Sequence, residues 1–425
     1  MDIKGKKLLV LGGNYSTVAV VNYAHELGLY VVVTSNTPTG EAKEIADEAI
    51  QINVTDHDSL IQYIYENHID GVMTGASEFH LLNMIRICEK AGLPCYMTEK
   101  QWNICQNKQH FKKLCRDFDV PSVAEYDSDH PEEFSYPVII KPTDGCSARG
   151  ITVCENLNEF EEAKKKALAY SIEKRFIVEQ FVQNGGTTMS IKYIVRNGEL
   201  YLHAVGDRYV LDDTKGKALI TAAAFYPSKH TDYYIKHVDE RVKRMFKGIG
   251  LQNGALFMEA CFYKGEVLFY EMGLRISGGM TYLITEKTNG VNELKMLIRH
   301  AVSGEMCPIE ETKKINPYFN GYFTASLCIP LNTGKIAKID GVDEIKSFSN
   351  VNTFVQYWRE GDVIEEKHIG TLDQLFARIS IIVKGQKELS EVITDIIKTI
   401  SIKDIEGKEM VITSKLESIY NDYIS

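Results

Sequence analysis

The stretch Phe257–Gly279, FMEACFYKGEVLFYEMGLRISGG, reads as a β-hairpin with a glutamate on each arm. Glu259 precedes the turn Lys264-Gly265-Glu266 and Glu271 follows it. A three-residue loop centred on Gly265 sets 259 opposite 271. Their side chains then share one face, roughly 5 Å apart. That register also puts Phe257, Cys261, Val267 and Phe269 on the face, so the two acids have apolar company. Like charges held this close destabilise a hairpin unless something neutralises them. Mg²⁺ is a suitable neutraliser, because it takes one or two carboxylates together with nucleotide phosphate oxygens. Arg275, four residues on, suits an anionic group. The competing reading is an edge hairpin with solvated acids.

Upstream, a second segment has the character of a phosphate site. Strand VIIKP ends at Lys141 and runs into PTDGCSARG, Pro142–Gly150. Gly145, Ser147 and Gly150 offer backbone N–H groups to an anion, and glycine permits close approach. Arg149 adds a cation. The loop joins strand to strand, unlike a Walker loop, which opens a helix. A plain Gly-rich hairpin turn is the alternative. The strand FIVEQFV then presents Glu179, Gln180, Phe181 and Val182. A planar base could lie against it, or it could be an amphipathic strand with a solvated glutamate. Lys108, at a helix start, is by itself indistinguishable from a surface lysine.

The rest of the chain supplies the frame. Residues 1–95 alternate apolar runs (KKLLVLGG, YVVVTS, DGVMTG) with helical patterns at 16–27, 58–67 and 78–91. This βαβαβ order predicts a parallel doubly wound sheet. GGNYST after the first strand is not GxGxxG, so the dinucleotide fingerprint is absent and a nicotinamide-dependent oxidoreductase is disfavoured. A helix is expected at 108–118, then a small β–β–α–β lobe over 137–182 with its helix at 158–170. Longer strands follow over 188–305, with a helix at 292–303. The segments GYFTASLCIP and GKIAKIDGVDEI and a helix at 388–400 predict an α+β region at the C-terminal end. Expected domains are 1–105, 106–310 (with a lid lobe at about 137–190) and 311–425.

Bulk properties narrow the function classes. The 425 residues are 44% hydrophobic and 25% charged, as in ordinary globular domains. A net charge of −10 argues against a nucleic-acid partner. Lys164-Lys165-Lys166 reads as a solvated helix face. No apolar run approaches the about 18 residues of a membrane span, so no membrane partner is expected. The start, MDIKGKKLLVLGG, holds a buried strand rather than a signal peptide. Nine scattered cysteines without a CxxC pair point to free thiols in a reducing, cytoplasmic compartment. Cys146, inside the glycine loop, is a candidate reactive thiol. Homo-oligomerisation is left open.

The order of these parts is more informative than any one of them. Lys108, Lys141 with its glycine loop, Glu179-Gln180-Phe181-Val182, Glu259, Glu271 and Arg275 together resemble the ATP-grasp superfamily over residues 1 to about 305. EMGLRISGG resembles the E-x-G-x-R-x-GG form of its carboxylate–amine ligases: L-amino-acid ligases, and purine-pathway and carbamoyl-phosphate-synthase-like members. GKIAKIDGVDEI resembles the C-terminal domain of the L-amino-acid ligases. The resemblance implies a multidomain α/β and α+β fold and cofactors ATP and Mg²⁺, with Mn²⁺ as the other candidate ion. It implies ATP binding by Lys108, Lys141, Gly145, Ser147, Arg149, Gly150 and Glu179 to Val182. It implies metal binding by Glu259 and Glu271, and Arg275 as the catalytic arginine on the transferred phosphoryl group. The implied reaction joins a small carboxylate to an amine through an acyl phosphate, releasing ADP and phosphate. A purine-pathway or carbamoyl-phosphate-type ligase is the alternative, and a nucleotide-binding regulator without turnover is the non-enzymatic one. Three positions depart from the pattern. Gly273 stands where Asn often ligates metal, Thr188 where an acid often meets the ribose, and Asn107 where Asp often precedes the first lysine. Arg208, His203 and Tyr226 are candidate substrate residues.

Overall fold

Runs of apolar residues buried on both faces build the first sheet, as parallel strands flanked by helices require. In the computed structural model these strands are β1 (Lys7–Leu11), β2 (Tyr30–Thr34), β3 (Glu48–Ile50) and β4 (Gly71–Thr74), in the order β3-β2-β1-β4, all parallel. The helices α1 (Val18–Glu26), α2 (Glu41–Glu44), α3 (His57–Glu66) and α4 (Glu78–Ala91) connect or follow them. The expected doubly wound unit is present. The structure describes residues 2–144, 149–183, 186–210, 221–413, 419 and 423. Gly71 is fixed by packing, since a Cβ there would lie 2.1 Å from the Ala301 carbonyl oxygen.

Two helices, α5 (Glu99–Gln106) and α6 (Lys108–Asp117), lead out of this unit. Thr98 caps α5 with a reciprocal Gln101 contact, and the Asn107 side chain accepts from the Gln109 and His110 amides to start α6. A small lobe follows. It contains β5 (Glu125–Tyr126), β6 (Val138–Pro142), β7 (Thr152–Cys154), α7 (Phe160–Tyr170) and β8 (Phe176–Gln180), in the sheet order β5-β8-β6-β7. Its core is Phe134, Val138, Ile140, Cys154, Phe160 and their neighbours, separate from the main cores.

The largest layer is an eight-stranded sheet. Its first part comprises β9 (Thr187–Arg196), β10 (Glu199–Val210), β11 (Thr221–Tyr226), β12 (Gly254–Tyr263) and β13 (Glu266–Gly273). Helices α8 (Thr231–His237), α9 (Asp239–Gly248), α10 (Thr281–Asn289) and α11 (Glu293–Ser303) surround it, and α12 (Ile309–Thr312) follows. The sheet continues across residue 310 into β14 (Phe323–Pro330), giving the order β13-β12-β9-β10-β11-β14-β18-β16. The C-terminal region also supplies β15 (Gly334–Asp340), α13 (Val342–Ser347), β16 (Val351–Gln356), β17 (Val363–Ile364), β18 (Leu375–Val383), α14 (Gln386–Thr399) and β19 (Ser401–Asp404). One face of the long sheet is apolar and packed. The other carries Thr188, Ser190, Lys192, Arg208, Tyr226, Glu259, Glu271 and Arg378, and this polar face is the floor of the site. Among the described residues no helix is long and apolar enough to cross a membrane.

Candidate active site

The hairpin pairs Glu259 with Glu271, as expected, but by a different route. The loop has two residues, not three: Tyr263 pairs with Glu266, and Lys264 and Gly265 both take positive φ (50° and 82°). This is the twist that two-residue hairpins favour. A bulge then inserts Tyr270, so that Ala260 faces Phe269 and Glu259 faces Glu271. The bulge corrects the expected company of the acids. Phe269 and Val267 pair with Ala260 and Phe262 and lie in the main core on the opposite face. Tyr270 instead comes to the site.

Glu259 is not held by apolar neighbours alone. The Arg208 guanidinium ion-pairs with it, and Ser190 donates to its Oε1 (3.3 Å). Burial pushes the Glu259 carboxyl up; Arg208 pulls it down, and the nearby Glu271 charge pushes it up again, leaving it above the usual carboxylate range. The expected repulsion between the two acids is thus real, and one arginine offsets part of it. Two carboxylates on neighbouring strands, one buried and one half-exposed, are hard oxygen donors of the type that could hold Mg²⁺. A side chain at Gly273 would begin 2.5 Å from Phe257 Cε1, so that ring fills the space a ligand from this position would need.

The phosphate-type lysines converge on a second buried acid. Glu179 is 0% exposed and pairs with Lys112 (2.8 Å) and Lys141 (2.6 Å). Burial alone would raise its pKa, but the two ammoniums prevail and hold it below the usual carboxylate range. Glu179 is therefore not a solvated edge residue. Lys141 also lies over the Tyr270 ring (5.2 Å), which ties this triad to the metal-type hairpin. Lys112 donates to the Val123 carbonyl (2.7 Å). Lys108 joins the group through its backbone, whose N–H donates to the Thr143 carbonyl (2.9 Å) just past Lys141. Gln180 and Phe181 continue β8, their amides donating to the Ala124 and Pro137 carbonyls, and Val182 lies beyond the strand.

Gly145, Ser147 and Cys146 fall outside the described residues. On the near side of that loop, Asp144 accepts from Ser171 Oγ (2.6 Å) and the Ile172 amide (2.8 Å). On the far side Arg149 is exposed, and Gly150 takes φ +78° with its Cα against Tyr170 and Pro142. A Cβ there would sit 2.7 Å from Tyr170 Cβ, so Gly150 serves packing whatever else it does.

Arg275 stands apart from the two glutamates. Its Nε donates to Glu78 at the start of α4, its Nη1 to the Ile276 carbonyl (2.9 Å), and its guanidinium stacks on Phe257 (4.8 Å). Glu78 also accepts from Trp102 Nε1 (3.0 Å), so this contact fastens the hairpin to the first domain. His203 is paired with buried Glu293 (3.0 Å) in the core. Thr188 is on the polar face opposite Arg208, its hydroxyl enclosed and without a partner.

Four residues that touch this site carry no strong motif. Lys112 is one turn from Lys108 on the buried face of α6, with Phe111 and Cys115. That helical spacing is the signal that could have found it. Tyr270 needed the bulge. Lys192 and Arg378 reach the floor from β9 and β18, and only the assembled sheet brings them together.

Residues 134–282 match the ATP-grasp domain family. The L-amino acid ligase of Bacillus licheniformis superposes with a TM-score of 0.77 at 20% identity, covering 94% of this chain and 99% of that one. The biotin carboxylase domain of Hydrogenobacter thermophilus 2-oxoglutarate carboxylase, solved with MgADP and bicarbonate, gives 0.76 at 20% identity, covering 98% and 94%. In sequence, the formate-dependent phosphoribosylglycinamide formyltransferase of Sulfurisphaera tokodaii is 24% identical over 82% of this chain and 89% of its own length. Residues 134–282 thus carry an ATP-grasp domain, within a fold shared nearly end to end with these proteins. That class works with ATP and Mg²⁺.

Proposed function

We propose that the protein joins a small carboxylate, of the amino-acid class, to an amine through an acyl phosphate. The observation that carries this reading is the pairing of Glu259 with Glu271 beside the Lys141–Glu179–Lys112 triad. It puts a hard-cation donor set next to buried ammoniums on one site. Mg²⁺ held by Glu259 and Glu271 would supply charge neutralisation for the nucleotide phosphates. Lys108, Lys141 and Arg149 add cations on the polyphosphate, to which the resemblance also assigns Gly145, Ser147 and Gly150. The segment Glu179 to Val182 borders the adenine, and Arg275, released from Glu78, turns to the transferred phosphoryl group.

In the first step a substrate carboxylate oxygen attacks the γ-phosphorus. A P–O bond forms, the bond to the β-phosphate oxygen breaks, and ADP leaves with that electron pair. In the second step the amine nitrogen attacks the acyl carbon, phosphate departs and the amine proton is lost. Phosphoryl transfer of this type depends chiefly on positioning and on cations around the moving charge. The small lobe keeps water from the acyl phosphate.

A second reading is favoured by those sequence relatives that are formate-dependent phosphoribosylglycinamide formyltransferases. Formate is also a carboxylate, so the first step is shared. The test is ADP release with Mg²⁺–ATP, comparing a panel of amino acids, singly and in pairs, with formate plus phosphoribosylglycinamide. Stimulation by amino-acid pairs alone supports the first reading; stimulation by formate plus phosphoribosylglycinamide alone replaces it.

A further inference from the structure

Buried Glu179 has more positive charge beside it than one carboxylate needs. Its Oε1 pairs with Lys112 (2.8 Å) and its Oε2 with Lys141 (2.6 Å), so the three groups carry one net positive charge. The two lysines are held differently. Lys112 is the more enclosed, at 1% exposure against 6%. Its ammonium also donates to the Val123 (2.7 Å) and Phe269 (3.5 Å) carbonyls. One turn along the same helix, Arg116 pairs with Glu125 (2.9 Å), the residue opposite Glu179 on β5. Helix α6 is thus fastened to two neighbouring strands of the small lobe, and Lys112 is fixed with it. Lys141, near the end of β6, instead lies over the Tyr270 ring (5.2 Å), on the side of the hairpin that carries Glu259 and Glu271.

This difference decides which ammonium can serve a ligand. A buried carboxylate that loses its last cation is strongly unfavourable. When Lys141 turns to an anion, Glu179 keeps Lys112, so no such loss occurs. Were Lys112 neutral, Glu179 and Lys141 would form an exclusive buried pair with no charge left over. Any phosphate would then have to compete with the Glu179 carboxylate for Lys141, and its success would leave that carboxylate buried and unpaired.

We infer that Lys112 is a positioning residue for nucleotide binding: it is the standing counter-ion of Glu179 and thereby frees the Lys141 ammonium for the polyphosphate. This deepens the proposed function and rests on it for the role of Lys141. Lys112 itself touches no nucleotide. Its contribution is the second positive charge, which the acid needs once Lys141 is engaged elsewhere.

The test titrates the full-length protein calorimetrically with a non-hydrolysable ATP analogue in the presence of Mg²⁺. Lys141→Met should weaken binding at least tenfold. Lys112→Met should also weaken it at least tenfold, although this side chain does not reach the ligand. Lys112→Arg, which keeps the charge, should bind at least fivefold tighter than Lys112→Met. Adding Glu179→Gln to Lys112→Met removes the acid that retains Lys141, and should recover at least fivefold of the lost affinity. A merely structural role for Lys112 gives no such recovery, because the second substitution removes a further buried contact. The inference is overturned if Lys141→Met loses affinity while Lys112→Met loses less than tenfold. It is overturned equally if either the arginine variant or the double variant binds no better than Lys112→Met. Should Lys112→Met fail to fold, the double variant decides: it is expected to bind at least fivefold tighter than Lys141→Met, and weaker binding than that overturns the inference. If the wild type does not bind the analogue, or Lys141→Met binds it unchanged, the functional reading of Lys141 fails and the inference falls with it.

Discussion

Glu179 and Glu259 are both buried glutamates on strands of the site, yet burial leads to opposite outcomes. Glu179 sits between two lysines and is held below the usual carboxylate range. Glu259 has one ion-paired arginine, a lesser pull from Lys192 and a second glutamate, and is held above it. Desolvation pushes both upward, so the difference lies in the charges around each: two ion-paired lysines against one ion-paired arginine, the lesser pull of Lys192 and the opposing Glu271 anion. The first arrangement is closed and self-neutralised. The second is short of positive charge, and this shortfall is what a divalent cation would fill.

The largest expected stability effect tests the closed arrangement. Glu179→Gln leaves two lysines buried without their acid, and should lower unfolding free energy by about 3–5 kcal/mol. Urea unfolding that moves by less than about 1 kcal/mol would break the contrast. The metal-type pair should behave differently. Glu259→Gln and Glu271→Gln should each reduce ATP turnover by about 10²-fold or more, as loss of a transition-state charge contact does. Their stabilities should separate. Glu259→Gln deprives Arg208 of its partner and should destabilise the metal-free protein by about 1–3 kcal/mol. Glu271→Gln removes repulsion and should stay within about 0.5 kcal/mol of wild type or rise. Equal stability losses in the two variants would contradict the assigned asymmetry.

Acid titration should separate the pair by sign. The depressed Glu179 contributes stability that is present above the unfolded glutamate pKa of about 4.3 and is lost as pH falls through its lower folded value. The raised Glu259 acts in the reverse sense: metal-free stability is lost as pH rises from about 4.3 through its higher folded value. The advantage of wild type over Glu179→Gln should therefore shrink in acid. The advantage over Glu259→Gln should grow. Unfolding curves collected from pH 3 to 7 check both slopes. The smallest effect concerns the rim of the small lobe. Gly150→Ala forces a left-handed residue against Tyr170 and should destabilise by about 1–3 kcal/mol. A neutral result would mean that the turn can shift.

Much of the frame was legible in the sequence. Continuous apolar runs such as LLVL and YVVV can only be buried strands, and the helices at α3, α4 and α11 fall within a residue of their expected ends. The opposed glutamates were legible too, but through two compensating errors. The loop is one residue shorter than expected, and a bulge at Tyr270 restores the pairing. Side-chain alternation cannot reveal a bulge, so Phe269 and Val267 were expected on the wrong face. The partners of the charged residues were not legible, because each comes from a distant strand or helix. Glu78 meets Arg275 across 197 residues and Arg208 meets Glu259 across 51. The continuation of the central sheet into β14, β18 and β16 was equally hidden. It depends on edge pairing, which leaves no local pattern in either strand.

Trapping with hydroxylamine tests the acyl phosphate most directly. It needs no knowledge of the natural amine, since a small nucleophile intercepts the activated acyl group. With Mg²⁺, ATP, hydroxylamine and the carboxylate that stimulates turnover, the account predicts hydroxamate and ADP in equal amounts, both lost in Glu271→Gln. AMP and pyrophosphate as products, or ADP release with no hydroxamate from any carboxylate that stimulates it, would contradict it.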